Sequence, residues 1–178
     1  MKTILKNGLT IVFKKKNNNS VTLVVLVKTG SNYETKGREG ISHFIEHLLF
    51  EGTKNRTSHE ITNAIESLGG DINAFTSNEA TVYYINIPKK HFDIALNILA
   101  DMLQNPMFDP KIIEKERKVI LEEINLHIND VGNKQGDPDR MKFYNEVTNG
   151  EYANPVNAVH TIGIGGGAAM DVARAIAL

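Results

Sequence analysis

Gly40-Ile41-Ser42-His43-Phe44-Ile45-Glu46-His47-Leu48-Leu49-Phe50 is the stretch around which the rest of the chain organises itself. Its apolar residues predict a short helix over 40–50, interrupted only by Ser42, His43, Glu46 and His47. A helix that is apolar nearly all round is buried, so its polar side chains need partners there. His43 and His47, four apart, lie within about 40° of each other around the helix axis, and both imidazoles can reach one metal ion. Glu46, three residues after His43, shares that face, where its carboxylate can meet a metal-activated water.

The H-x-x-E-H order, two zinc ligands and a general base, reverses the better-known H-E-x-x-H arrangement. Two ligands alone are also compatible with a pair of satisfied core histidines, so a third must be found elsewhere. The 178-residue chain has no cysteine, which restricts that ligand to histidine or carboxylate. It is 41% hydrophobic and 23% charged, enough for one globular domain with a core. A net charge of −1 with interspersed signs excludes a nucleic-acid stripe or a polybasic membrane patch. The amino end lacks the apolar run of a signal peptide and no membrane-length segment follows, which leaves a cytoplasmic protein as the expectation.

Upstream of the helix, Asn7-Gly8 between Ile4-Leu5 and Leu9 to Phe13 is a hairpin signal, and a second β run covers Val21 to Thr29. Downstream, Thr57-Ser58-His59-Glu60 has the form of a capping box. It opens a helix with Ile61, Ala64, Ile65 and Leu68 on one face, ended by Gly69-Gly70. Asp71 to Thr76 and Thr81 to Ile87 read as paired strands. Phe92, Ala95, Leu96, Leu99 and Leu103 mark another helix, halted before Pro106. Asp109-Pro110 caps a long helix to about Ile128. A polar loop is expected over 129–137 and a last helix from Asp137-Pro138 to about Val147. The expected fold class is α+β, a mainly antiparallel sheet with helices packed on one face.

Helical phase sorts the carboxylates of the long helix. Its apolar residues, from Ile112 to Ile128, define an inward direction. Glu116 and Glu123 lie within roughly 40–65° of it, whereas Glu122 points about 160° away. Carboxylates on a buried face are costly without compensation, and a metal held by His43 and His47 would supply it. Glu123 is the better third ligand on this argument. Glu116, two turns earlier, is either an assisting residue or an ordinary buried ion-pair partner. His127 faces inward and reads as a packed or supporting histidine, while His59, His91 and His160 read as surface or loop residues.

Three blocks now carry a resemblance: His43 through Thr53, then Asn73-Ala74-Phe75-Thr76-Ser77, then Glu116 through Ile124. In this order they resemble the catalytic amino-terminal half-domain of the pitrilysin family of zinc metallopeptidases, which includes insulin-degrading enzyme and the β subunit of mitochondrial processing peptidase. The match runs from residue 1 to about 160, and 1–160 is therefore expected to be the peptidase domain, incomplete at its end. The resemblance assigns Glu123 as third metal ligand and Glu116 as the nearby glutamate that assists without binding metal. It also places 73–77 on an edge strand beside the metal. There an extended peptide can add as a further strand, with Asn73 and Ala74 in contact and Phe75 lining the site; the plain alternative is that these are only turn and strand residues.

The chemistry so implied is peptide-bond hydrolysis. One zinc ion per chain, on three protein ligands with an open position, lowers the pKa of a water toward about 7, and Glu46 takes its proton and passes it to the leaving amine. Manganese or cobalt suit the same donors. Family members have a second homologous half that completes the active site. A partner half or self-association is thus expected, and the alternative function is a non-catalytic peptide-binding or assembly subunit. Residues 161–178 are a glycine-rich tail outside this pattern. Gly163 to Arg174 resembles the cofactor turn of iron-dependent alcohol dehydrogenases, but without a β-α-β setting it does not establish a nucleotide site.

Overall fold

The computed structural model describes residues 1–15 and 17–132, with side chains described as far as Leu126. The expected helix over 137–147, the side chain of His127, His160 and the glycine-rich tail lie outside the described residues.

A hairpin of β1 (Lys2–Ile4) and β2 (Thr10–Val12) opens the chain. It turns at Gly8, whose φ of 88° is a left-handed conformation that glycine adopts freely, and Asn7 Oδ1 accepts from Leu9 N at 3.2 Å. The main sheet is built from β3 (Ser20–Val27), β4 (Asp71–Thr76) and β5 (Thr81–Pro88), all antiparallel in the order β3-β5-β4. The central strand, β5, is the most buried of the three.

Period-two alternation decides which side chains face the helices. Across the sheet, Val25, Tyr83 and Ala74 form one inward row and Leu23, Ile85 and Ile72 the next. At the strand end, Val27, Thr81 and Thr76 continue this inward side. On the other face Val24, Leu26 and Phe75 are exposed.

Among the described residues, the helices cover the inward face. They are α1 (Ile41–Phe50), α2 (Ser58–Glu66), α3 (Phe92–Gln104) and α4 (Pro110–Gly132). Ile61 and Ile65 of α2, and Ile98, Leu99 and Met102 of α3, complete the main core. The capping box forms as expected: Thr57 Oγ1 accepts from Glu60 N, and Glu60 Oε2 accepts from Thr57 N at 2.8 Å. A smaller cluster of Leu48, Ile113, Phe44, Phe108 and Ile112 joins α1 to α4, and the functional residues gather beside it.

One boundary differs from the sequence reading. The long helix continues to Gly132 instead of giving way to a loop at 129. Asn129, Asp130 and Val131 have only modest helix penalties, so a polar composition alone does not stop the helix. No helix among the described residues is long and apolar enough to cross a membrane.

Candidate metal centre

The helix that carries His43, Glu46 and His47 is capped from outside. Gly40, at its N-cap, has a φ of 84° and no side chain to offer. Instead the Glu34 carboxylate accepts from Gly40 N at 2.7 Å and Ser42 N at 2.9 Å, placing negative charge where the helix dipole favours it. Nothing in the sequence marks Glu34, because a cap delivered from a preceding loop has no fixed spacing.

His43 and His47 cross edge to face, with ring centroids 4.7 Å apart. Their Nε2 atoms are 3.2 Å apart, and Glu123 Oε2 lies 3.9 Å from the first and 3.7 Å from the second. His43, His47 and Glu123 are the one group of three or more such residues among those described that can converge on a metal ion. Ligand atoms about 2.0–2.1 Å from a tetrahedral zinc would be separated by about 3.3 Å, close to the three separations seen.

His47 Nδ1 lies 3.3 Å from Glu116 Oε2. With a metal on Nε2, the Nδ1 proton would be donated to this carboxylate, an arrangement that orients a ligating histidine. Burial, then the neighbouring His47, lowers the pKa of His43, against the opposing charges of Glu46, Glu123 and Glu34. The neutral form that ligates a metal is thereby favoured.

Glu116 is buried, at 5% exposure, and is held between His47 and Lys115, whose Nζ lies 3.2 Å from Oε1. The same Nζ reaches Glu51 Oε2 at 2.9 Å, just past the end of α1, so Lys115 ties α1 to α4 beside the site. Glu122 is exposed, as helical phase required.

Glu46 turns toward the sheet, where Thr76 Oγ1 donates a hydrogen bond to its Oε2. Burial, with the Glu46 charge added to it, holds the Tyr83 phenol firmly protonated. Thr76 lies in the 73–77 block, which assigns it no role, although strand alternation carries the signal: it shares the inward face with Ala74, two residues earlier. The same alternation places Phe75 on the other side of the strand. Its side chain is on the outer face, 51% exposed. Asn73 is also on the outer face, and its Oδ1 accepts from Ala74 N at 2.8 Å. Ala74 itself packs inward against the core.

A family model for insulinase, peptidase family M16, matches residues 10–134. The chain belongs to this family. It is 44% identical over 147 residues to an uncharacterized zinc protease of Rickettsia bellii, covering 80% of this chain and 34% of that protein. To the mitochondrial-processing peptidase subunit beta of Blastocladiella emersonii it is 43% identical over 122 residues, covering 68% and 26%. Among solved structures, a protease from Helicobacter pylori superposes with a TM-score of 0.70 at 32% identity, covering 72% of this chain and 31% of that one. The M16 chain thus spans about a quarter to a third of the length of these relatives. Its matched region contains both histidines, Glu46, Glu116 and Glu123.

Proposed function

We propose that this M16 chain carries the catalytic centre of a zinc metalloendopeptidase acting on short or unfolded peptides in extended form. The observation that carries the reading is the convergence of His43, His47 and Glu123, with Glu46 on the same helix as the two histidines. His43 Nε2, His47 Nε2 and the Glu123 carboxylate would hold one zinc ion per chain, and Glu116 fixes the His47 tautomer from behind. Bound there, zinc supplies a Lewis acid that polarises a carbonyl and acidifies a water.

The chain's own residues do the rest. Glu46 accepts the proton of the attacking water at its carboxylate and returns it to the leaving amine as the peptide bond breaks. Strand β4 lies at one edge of the three-stranded sheet. Its Ala74 N–H donates to the Asn73 side chain, a bond that an incoming carbonyl could replace. A substrate added there by main-chain hydrogen bonds is chosen by extended shape more than by sequence. Asn73 and Ala74 are accordingly proposed as peptide contacts, with a second homologous half or a second copy of the chain as partner.

The test is cleavage of a quenched fluorescent peptide mixture, with and without a zinc chelator, by the parent chain and Glu46→Gln. The expected result is chelator-sensitive turnover in the parent and none in the variant, both with equal zinc. Zinc-loaded, folded parent chain without turnover would favour the alternative, a peptide-binding or assembly unit that needs another half.

A further inference from the structure

We infer that Thr76 is a positioning residue that sets the orientation of the Glu46 carboxylate for proton transfer, an inference that deepens the peptidase reading and rests on it. Glu46 projects from α1 on a side chain with three rotatable torsions, and an unrestrained carboxylate would spread over several rotamers. Thr76 is β-branched and stiff at χ1. It sits on the inward side of β4, and its hydroxyl donates to Glu46 Oε2. That bond leaves Oε1 available for the proton to be moved.

The direction of the bond is set by the neighbours. Thr81, paired with Thr76 across the strands, has its hydroxyl 3.5 Å away. The Thr81 proton is committed to the Thr29 carbonyl oxygen at 3.0 Å. The Thr76 proton therefore serves Glu46, and a charged acceptor makes the bond stronger than a neutral one.

The platform beneath Thr76 is rigid. The turn after it is closed by Ser77 N donating to Ala80 O at 2.8 Å, and Ser77 Oγ also donates to Ala80 O at 2.9 Å. A second segment clamps the turn, with Asn32 N donating to Asn78 O at 2.9 Å and Ser31 Oγ to Asn78 Oδ1 at 3.0 Å. The approach at Gly30 is so close that a Cβ there would meet Ser77 O at 2.1 Å. Two rigid elements, the helix of the ligands and the strand proposed to receive the peptide, are thus joined at the base through one hydroxyl.

Thr76→Val keeps the shape and removes the donor, and Thr76→Ser keeps the donor. With the quenched peptide, Thr76→Val is expected to lower kcat by roughly ten- to a hundredfold, with KM and zinc content unchanged, and Thr76→Ser to restore most of the loss. A thermal-unfolding cycle of Thr76→Val, Glu46→Ala and the double variant is expected to be non-additive. Unchanged kcat in Thr76→Val, a loss confined to KM or zinc content, or failure of Thr76→Ser to rescue would overturn the inference. So would additive Tm shifts. If the parent chain shows no turnover, the peptidase reading fails by itself, and the cycle still decides whether Thr76 holds Glu46.

Discussion

His47 shows how much of a metal site resides outside its ligands. One ring nitrogen points to the converging group and the other is held by Glu116, buried and braced by Lys115. Removing that brace frees the ring to rotate and lets the tautomer exchange. Glu116→Ala is expected to weaken zinc binding by about 10- to 100-fold, read by competition with a chromophoric chelator, while the unliganded chain still folds. The faces that bring His43, His47 and Glu123 together were legible in the sequence because each depends on helical phase within a single helix. Glu116 was legible only as a buried carboxylate on that face. Its partner, His47 Nδ1, belongs to another helix.

At the scale of elements, the loop after α1 is held by a buried carboxylate that spacing did not reveal. Asp101, near the end of α3, accepts from Thr53 Oγ1 at 2.8 Å, Asn55 Nδ2 at 2.6 Å and Asn105 Nδ2 at 2.9 Å, and it pairs with Arg56. Thr53 Oγ1 in turn accepts from Asn55 N and Arg56 N. Met107 N donates to Gly52 O at 3.1 Å. The end of α1 is therefore tied to the linker leading into α4, and the two ligand-bearing helices are held in register. Burial opposes the Asp101 charge, but these hydrogen bonds prevail and its pKa falls below the ordinary aspartate value. A depressed carboxylate pKa contributes stability in full above the unfolded value, about 3.9, and loses it as pH falls through the folded one. Asp101→Ala is expected to cost about 3 kcal/mol at neutral pH, the low end for a broken buried pair because Arg56 is partly exposed. In urea unfolding, the stability gap between parent and Asp101→Asn is expected to narrow as pH falls below the unfolded aspartate value and through the lower folded one.

Across the whole molecule, the metal ligands span two unequal attachments. The helix α1 packs into the main core through Leu49 and Ile45, whereas the described side chains of α4 meet it mainly through Ile113, Leu48 and their few neighbours. A zinc ion bound by His43, His47 and Glu123 would staple the weaker attachment. At a hundredfold excess over its Kd, zinc is expected to add about 2.7 kcal/mol of stability. Chelation is expected to raise amide hydrogen exchange in α4 around 113–124 far more than in the central strand β5. Equal acceleration in both would mean that the metal stabilises the fold as one unit and not through the α4 attachment.

The sequence by itself determined the features that backbone periodicity encodes. The i, i+4 histidines, the capping box at Thr57, the β runs of β3 and β5, and the choice of Glu123 over Glu122 all depend on neighbours a few residues away. Tertiary structure alone decided that Glu34 caps α1, that Asp101 gathers the 53–56 loop, and that Glu46 meets Thr76. These contacts join segments whose relative register is set by packing of the whole core, so no local spacing encodes them. Phe75 marks the boundary between the two. Its strand was legible, and its face is a matter of alternation, but only the folded sheet showed which face the metal ligands share.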